Sequence, residues 1–325
     1  MTHRRNFLKS AAAILSGNVI TSRSNGHDIN KRAKRGLERI GIQLFSIPRL
    51  AEKDFSGTMR MLSQIGYKEI EFFGPYSFSS SEDKERWKGV APSVGFSGSG
   101  FFGLTAKEVK KILDDNGLAA PSMHTGADSL NNAMGGLAEA AQVLRTKYVT
   151  LPSAPSQTDL DGYKRQADDF NRVGAQAKKQ GIRFAYHNHG NGLKAIDGTI
   201  PFDLILERTD PDLVFFEMDI YWMTAGGADV CAYLDKYPGR FPLMHVKDMA
   251  KDVRFSGDGS DPSQWIELFP YLENAGEGVL DLEKILSHAK RSGVEHFIVE
   301  RDLAPDPEED LKKSFSYLKG VELKG

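Results

Sequence analysis

The sequence alternates short apolar strands with amphipathic helices over most of its length, and this alternation most constrains the fold. Strands that are joined by helical crossovers lie parallel in one sheet. Eight such units in a chain of 325 residues predict an α/β protein with a single-domain (β/α)8 TIM barrel, which typically needs ~250 residues. The predicted strands are Arg39–Phe45, Glu69–Phe73, Ala119–His124, Tyr148–Leu151, Arg183–His187, Val214–Asp219, Pro242–Lys247 and His296–Glu300.

An open, doubly wound parallel sheet is the alternative arrangement of the same units. Such sheets usually carry a glycine-rich phosphate-binding turn after the first strand. The first predicted turn, at residues 45–49, contains no glycine. The barrel is therefore favoured, with one long loop after the second strand, at residues 74–104, and another after the seventh, at residues 248–278.

The amino-terminal segment is predicted to be an export signal rather than part of the barrel. Arg4 and Arg5 open a twin-arginine pattern, and the apolar run Ala11–Ile20 follows it. That run is shorter than the ~20 apolar residues that span a bilayer. We expect a periplasmic protein, free of the membrane after export, with a signal and leader at residues 1–36 and the barrel at residues 37–325. A basic disordered tail is the alternative interpretation.

The composition argues against some classes of function. The 42 Lys and Arg residues nearly balance the 44 Asp and Glu residues, for a net charge of −2. A nucleic-acid-binding surface usually needs an excess of basic residues. The one cysteine, Cys231, excludes both an intramolecular disulfide and a cysteine metal cluster.

Polar side chains end most of the apolar strands. In a barrel the carboxyl ends of the strands converge on one cavity, where ligands bind. Residues i and i+2 of a strand share a face, so His187 and His189 are expected to point into that cavity together, as are His245 and Lys247. The polar residues at the strand ends are Gln43, Glu71, His124, His187, Asp219, His245 and Glu300.

The last four predicted strands each end in a potential metal ligand. The four are His187, Asp219, His245 and Glu300. Two histidines with two carboxylates suit Mn²⁺, Zn²⁺, Fe²⁺, Co²⁺ or Mg²⁺, and the lack of a thiolate favours a harder ion such as Mn²⁺. An unpaired buried carboxylate is costly, so a cation is a natural partner. Four separately paired side chains are the alternative.

Five motifs together resemble the xylose isomerase-like TIM-barrel superfamily, which includes sugar isomerases and epimerases and inosose dehydratases. The resemblance extends from about Arg39 to the carboxyl terminus, and it implies that His187, Asp219, His245 and Glu300 hold the metal. The motifs are Tyr186-His187-Asn188-His189, Glu217-Met218-Asp219-Ile220-Tyr221-Trp222, His245-Val246-Lys247-Asp248, Gly276-Glu277-Gly278-Val279-Leu280-Asp281 and Val299-Glu300-Arg301-Asp302.

The sequence departs from the family pattern at two positions. Many relatives have Glu where His187 stands, and in the epimerases that Glu is both a ligand and a proton-transfer base. Relatives also often have His where Trp222 stands. The first departure weakens the case for a two-glutamate epimerase mechanism and favours one-sided chemistry.

The resemblance implies a metal-dependent sugar isomerase or epimerase that works through an enediolate on a carbohydrate substrate. A lyase or dehydratase that acts on a keto-sugar or 3-keto-glycoside by β-elimination is one alternative, and a non-catalytic sugar-binding protein is another. An AP-endonuclease-like nuclease of the same superfamily is disfavoured by the net charge of −2.

Roles follow for individual residues at the barrel mouth. The catalytic candidates are Glu300, Lys247, His189 and His124. The substrate-binding candidates are Gln43, Glu71, Tyr221, Trp222, Asp248 and Arg301. Structural roles are the alternative for several of them. Lys247 would then pair with Asp248 or Glu300, and Glu71 and His124 would pair with other side chains. Tyr221 and Trp222 would pack in the core. His288 and His296 are expected to be structural.

Replacement of both Arg4 and Arg5 by lysine should keep the precursor in the cytoplasm, because twin-arginine export depends on the arginine pair. Immunoblots of periplasmic and cytoplasmic fractions measure this. Replacement of Lys9 by arginine is the control and should leave export unchanged. An undiminished periplasmic yield of the double-lysine variant would contradict the export prediction.

Overall fold

The computed structural model describes residues 34–323, and they contain a closed parallel barrel. Each barrel strand pairs with the next along the chain, and the last pairs with the first through Ile298 opposite Gly41 and Val299 opposite Ile42. This closure confirms the predicted (β/α)8 barrel over the open sheet. The strands are β1 (Gly41–Gln43), β2 (Glu69–Phe72), β3 (Ala119–His124), β4 (Tyr148–Leu151), β5 (Arg183–His187), β6 (Val214–Asp219), β7 (Leu243–Val246) and β8 (His296–Val299).

Helices surround the barrel and connect its strands. They are α1 (Pro48–Lys53), α2 (Phe55–Ile65), α3 (Ser81–Val94), α4 (Ala106–Asp115), α5 (Ala127–Asn132), α6 (Met134–Leu144), α7 (Leu160–Lys179), α8 (Pro201–Arg208), α9 (Ile220–Ala225), α10 (Val230–Lys236), α11 (Pro262–Leu268), α12 (Leu282–Ser292) and α13 (Pro307–Gly320). The sequence pattern predicts one helix at residues 130–144, but the structure divides it at Ala133. Asn131 and Asn132 have low helix propensity, which is consistent with a break there.

Two short antiparallel ribbons lie outside the barrel. Lys34–Arg35 pairs with Glu322–Leu323, and Asp248–Met249 pairs with Leu272–Glu273. The first ribbon begins slightly before residue 37, where the sequence places the start of the barrel. The predicted twin-arginine signal lies outside the described residues. No helix between residues 34 and 323 is long and apolar enough to cross a membrane.

The barrel interior changes from apolar to polar towards the carboxyl ends of the strands. Tyr148, Ala185, Leu243 and Ile298 form one buried apolar cluster inside it. Side chains alternate between the two faces of a strand, so the residue two positions further along also faces inward. For these four strands the next inward residues are Thr150, His187, His245 and Glu300, all buried. The polar layer thus rests on an apolar floor.

Ile298→Ala should lower the free energy of unfolding by about 2–5 kcal/mol, because it leaves a cavity in that floor. Ile298 is 0% exposed, whereas Ile266 in α11 is 65% exposed. Ile266→Ala is therefore a matched control, with an expected change within about 0.5 kcal/mol. Urea unfolding at equilibrium measures both variants. Equal losses would contradict the assignment of Ile298 to the barrel interior.

Candidate metal centre

Three of the four predicted metal ligands lie together at the barrel mouth. Asp219, His245 and Glu300 offer donor atoms that all lie within 4.8 Å of one another, and we call them the mouth group. His245 Nδ1 is 2.8 Å from Glu300 Oε2 and 3.7 Å from Asp219 Oδ2. Both His245 Nδ1 and Asp219 Oδ2 are buried, yet neither makes a hydrogen bond. Imidazole and carboxylate donors that converge in this way could hold one cation.

His187, the fourth predicted ligand, lies between the mouth group and a deeper set of donors. Its Nε2 is 3.7 Å from Asp219 Oδ2, and its Nδ1 is 3.3 Å from Glu217 Oε2. The deeper set, which we call the inner group, contains His124, His187, Glu217 and His245. His187 can therefore join the mouth group through Nε2 while its other nitrogen faces a carboxylate.

The inner group is held by buried hydrogen bonds. Glu71 Oε2 accepts hydrogen bonds from Gln43 Nε2 at 2.8 Å and from His245 Nε2 at 2.6 Å. His124 Nε2 lies 2.7 Å from Glu217 Oε2 and 3.1 Å from Glu71 Oε2. Burial alone would lower the pKa of His124, but Glu71 and Glu217 raise it to about 10. His124 therefore carries a proton that both carboxylates share.

This network gives Gln43 and Glu71 partners within the protein, although the sequence predicts substrate contacts for both. Gln43 Oε1 also accepts a hydrogen bond from the Phe45 backbone N–H.

Glu217 was missed by the sequence interpretation. Its position two residues before Asp219, on the same face of β6, was the available signal.

Lys247 is surrounded by carboxylates at the mouth. Its Nζ lies 2.6 Å from Glu300 Oε2, 2.7 Å from Asp302 Oδ2 and 3.2 Å from Asp219 Oδ2. Burial alone would lower the pKa of Lys247, but these three carboxylates raise it well above its usual range. The ammonium group thus stays charged, and it neutralises only part of the surrounding negative charge.

The donor set of the mouth therefore fits a divalent cation. Three carboxylates share one ammonium group, so they outnumber the lysine charge that faces them. Burial would lower the pKa of His245, but Glu217, Glu300 and Glu71 raise it well above its usual range. The surrounding carboxylates thus favour positive charge at this position, which a proton or a metal ion supplies, and a mixed imidazole and carboxylate set suits Mn²⁺, Fe²⁺, Co²⁺ or Zn²⁺.

His189 is a neutral base next to this site. Its Nδ1 lies 2.5 Å from the Pro152 carbonyl oxygen and donates to it, which leaves Nε2 as an acceptor. Burial and the nearby Lys247 lower the pKa of His189 to about 4. Its ring centroid is 4.5 Å from that of His187. The two histidines at the end of β5 are thus in ring contact with one another.

Aromatic residues of the loop at 248–278 cover one side of the site. Trp265 stacks on the His189 ring at 4.8 Å, and Phe255 stacks on Trp222 at 5.8 Å. Trp222 is buried, and Lys247 Nζ lies 5.4 Å from the centre of its ring. The Trp222 side chain therefore packs between the loop and the charged centre.

Three other predicted substrate-binding residues have structural partners. Tyr221 donates its hydroxyl proton to the Leu268 carbonyl at 2.6 Å. Arg301 pairs with Asp310 at 2.8 Å rather than reaching into the mouth. The third, Asp248, accepts backbone hydrogen bonds from Met249, Gly276, Gly278 and Leu280 at 2.8–3.1 Å. These contacts place Asp248 at the base of the loop, where it fixes both of the loop's ends.

The two histidines that were expected to be structural are paired away from the site. His288 Nδ1 lies 2.8 Å from Asp235 Oδ1, and His296 Nδ1 lies 2.9 Å from Glu69 Oε2. Neither residue belongs to the mouth group or the inner group. Their pairing agrees with the structural role that the sequence predicts.

The sequence and the fold are similar to those of a known protein family. The family model described as "Xylose isomerase-like TIM barrel" matches residues 59–321. The chain belongs to the xylose isomerase-like TIM-barrel family, as its motifs indicated.

Curated relatives match part of the chain. The chain is 28% identical to an inosose dehydratase of Clostridium beijerinckii over 166 residues, which is 48% of this chain and 54% of the relative. It is 34% identical to an inosose dehydratase of Clostridium tetani over 92 residues, 28% of this chain and 30% of the relative. The chain therefore spans about half the length of the first of these relatives and less than a third of the second.

Solved structures match nearly the whole barrel. A sugar phosphate isomerase/epimerase from Parabacteroides distasonis is similar, with a TM-score of 0.66 and 25% identity over 87% of this chain and 94% of that one. The IolI protein, solved with a zinc atom, has a TM-score of 0.63 and 14% identity over 88% of this chain and 99% of that one. The second likeness supports the fold alone.

Asp248→Ala should destabilise the protein by roughly 3 kcal/mol, because it removes the acceptor of several buried backbone N–H groups. Metal binding by the mouth group should persist at a temperature where the variant is folded. Thermal unfolding and a Mn²⁺ titration measure the two properties. Asp252→Ala, at an exposed aspartate of the same loop, is the control and should cost less than about 0.5 kcal/mol. Unchanged stability of the Asp248 variant would instead favour a role in substrate binding.

Proposed function

We propose that the protein is a divalent-metal-dependent enzyme that acts on a keto-sugar or keto-polyol. It removes the proton next to the carbonyl group and then expels an oxygen substituent from the adjacent carbon. The observation that supports this most is the mouth group, whose buried donors lie within 4.8 Å of one another. The neutral base His189 lies beside it, with its ring 4.5 Å from that of His187. The inosose dehydratases among the relatives also favour elimination.

The metal would be held by His187, Asp219, His245 and Glu300. When bound, a divalent ion supplies a Lewis acid that polarises a carbonyl group and stabilises negative charge on its oxygen. Mn²⁺ remains the first choice, and Zn²⁺, Co²⁺ and Fe²⁺ suit the two imidazoles equally well. Mg²⁺ is less suited, because it prefers oxygen ligands.

His189 would accept the proton from carbon at its Nε2. The hydrogen bond from its Nδ1 to Pro152 and the stacked Trp265 ring hold the imidazole in one orientation. The ammonium group of Lys247 remains charged and stabilises negative charge on the substrate oxygen. As the bond to the departing oxygen breaks, a carbon–carbon double bond forms, and the proton on His189 passes to that oxygen. The products are an unsaturated ketone and water, or an alcohol from a glycoside.

Elimination is favoured over epimerisation because the site has one uncommitted base. An epimerase needs acid and base groups on both faces of the reacting carbon. The position where many relatives carry a second glutamate is His187 here, and a histidine that binds a metal has no free lone pair for a proton. Glu300 is held by Lys247 at 2.6 Å and by His245 at 2.8 Å. Isomerisation or epimerisation is the second candidate, and the Parabacteroides distasonis structure supports it.

The export route that we propose from Arg4 and Arg5 would place this reaction in the periplasm. Twin-arginine export carries folded proteins, often with a metal already bound. A site that closes around its metal during folding is compatible with that route.

The reaction is tested with inosose and 3-keto-glycosides in D₂O. The Mn²⁺-loaded protein should produce an unsaturated ketone that absorbs in the ultraviolet, and the protein treated with EDTA should not. His189→Asn should reduce turnover by at least about 100-fold, because general bases contribute about 10²–10⁴-fold. Asp219→Asn should instead lose the metal, so the two variants separate proton transfer from metal binding.

Metal content and binding curves for each variant provide the control. The His189 variant should bind Mn²⁺ within a few-fold of the wild-type affinity. Deuterium in recovered sugar without release of water or alcohol would favour the isomerase or epimerase. Sugar retained without any chemical change would favour a binding protein. An active metal-free protein would contradict the proposed mechanism.

A further inference from the structure

The two ring nitrogens of His245 face different sets of donors. Nδ1 lies against the mouth group, 2.8 Å from Glu300 Oε2. Nε2 lies against the inner carboxylates, 2.6 Å from Glu71 Oε2 and 3.4 Å from Glu217 Oε1. The form of an imidazole that binds a metal is neutral, with one N–H group and one lone pair. The nitrogen that carries the proton therefore decides which set of donors can receive a metal.

Glu71 has the geometry to fix that choice. The contact from His245 Nε2 to Glu71 is a hydrogen bond, whereas His245 Nδ1 makes none despite its short distance to Glu300. Glu71 is 0% exposed, and its Oε2 also receives Gln43 Nε2 at 2.8 Å. Gln43 is itself held, because its Oε1 accepts from the Phe45 backbone. The Glu71 carboxylate is therefore held by Gln43 in a fixed position next to His245 Nε2.

We propose that Glu71 is a positioning residue of the metal centre. It keeps the His245 proton on Nε2, so that the Nδ1 lone pair points at the mouth group. Carboxylates that hold the second nitrogen of a ligand histidine orient the ring and raise its basicity. This inference rests on the metal site of the proposed function and is independent of the reaction.

The same geometry indicates that the inner group binds protons and does not hold a second metal ion. His245 and His187 would each have to lose both ring protons to serve two ions at once. We therefore expect one metal ion per chain.

Glu69 offers a matched control on the same strand. It lies two residues before Glu71, so it faces the barrel interior as well, and it is 1% exposed. Its Oε2 lies 2.9 Å from His296 Nδ1, and His296 is not among the ligands. Glu69→Gln and Glu71→Gln therefore each remove one buried carboxylate charge beside a histidine, but only the second affects the metal centre.

Co²⁺ titration of the full-length apo-proteins measures the effect without any substrate. Glu71→Gln should weaken Co²⁺ binding by about 10–100-fold, while Glu69→Gln should stay within about two-fold of wild type. Thermal unfolding of both apo-proteins shows the structural cost of each change. Equal affinity losses in the two variants, unchanged affinity in Glu71→Gln, or two Co²⁺ ions bound per wild-type chain would overturn the proposal.

A second measurement needs no variant. In the Zn²⁺-loaded wild type labelled with ¹⁵N-histidine, NMR should show His245 protonated at Nε2 and metal-bound at Nδ1. Protonation at Nδ1 would overturn the proposal even if both glutamine variants fail to fold. A wild type that binds Co²⁺ but turns over no keto-sugar would remove the proposed function and leave the role of Glu71 intact. A wild type that binds no metal would overturn both.

Discussion

Buried negative charge at one end of the barrel is the constraint on which the rest of the site depends. Carboxylates inside a protein are costly unless positive charge or hydrogen bonds compensate them. Here Lys247 lies among three of them, and His124 lies between two more. The charge that remains is concentrated on the mouth group. The stability of the closed barrel is therefore coupled to what binds at its mouth.

Part of this charge lies behind a candidate ligand rather than on it. His187 ends β5, and Glu217 supplies a carboxylate on the neighbouring strand β6. His187 Nδ1 lies 3.3 Å from that carboxylate. The negative charge thus lies on the residue behind the candidate ligand. A neutral ligand in place of an anionic one leaves more positive charge on a bound ion and makes it a stronger Lewis acid.

The sequence predicted the fold well, because strand and helix periodicities are local and parallel strands require crossovers. It also predicted the mouth group, since Asp219, His245 and Glu300 each end a strand. It missed Glu217, although the alternation of side chains along β6 places this residue on the same face as Asp219. The partners of Asp248 could not be predicted, because four backbone N–H groups from distant positions carry no signal in the side-chain pattern. The same holds for Asp302, whose contact with Lys247 depends on how β8 lies against β7.

The closure of the loop after β7 by Asp248 separates two parts of the protein that can change independently. Asp248 gathers the two ends of the loop at residues 249 and 276–280, so the segment between them leaves and re-enters the barrel at one point. The entropic cost of closing a loop rises only slowly with the length of the loop. Exposed residues of the segment, such as Ile266, can therefore be exchanged, or the segment lengthened, while Lys247 and His245 keep their positions. A change in the outer part of this cover would thus alter access to the charged centre without altering the centre itself.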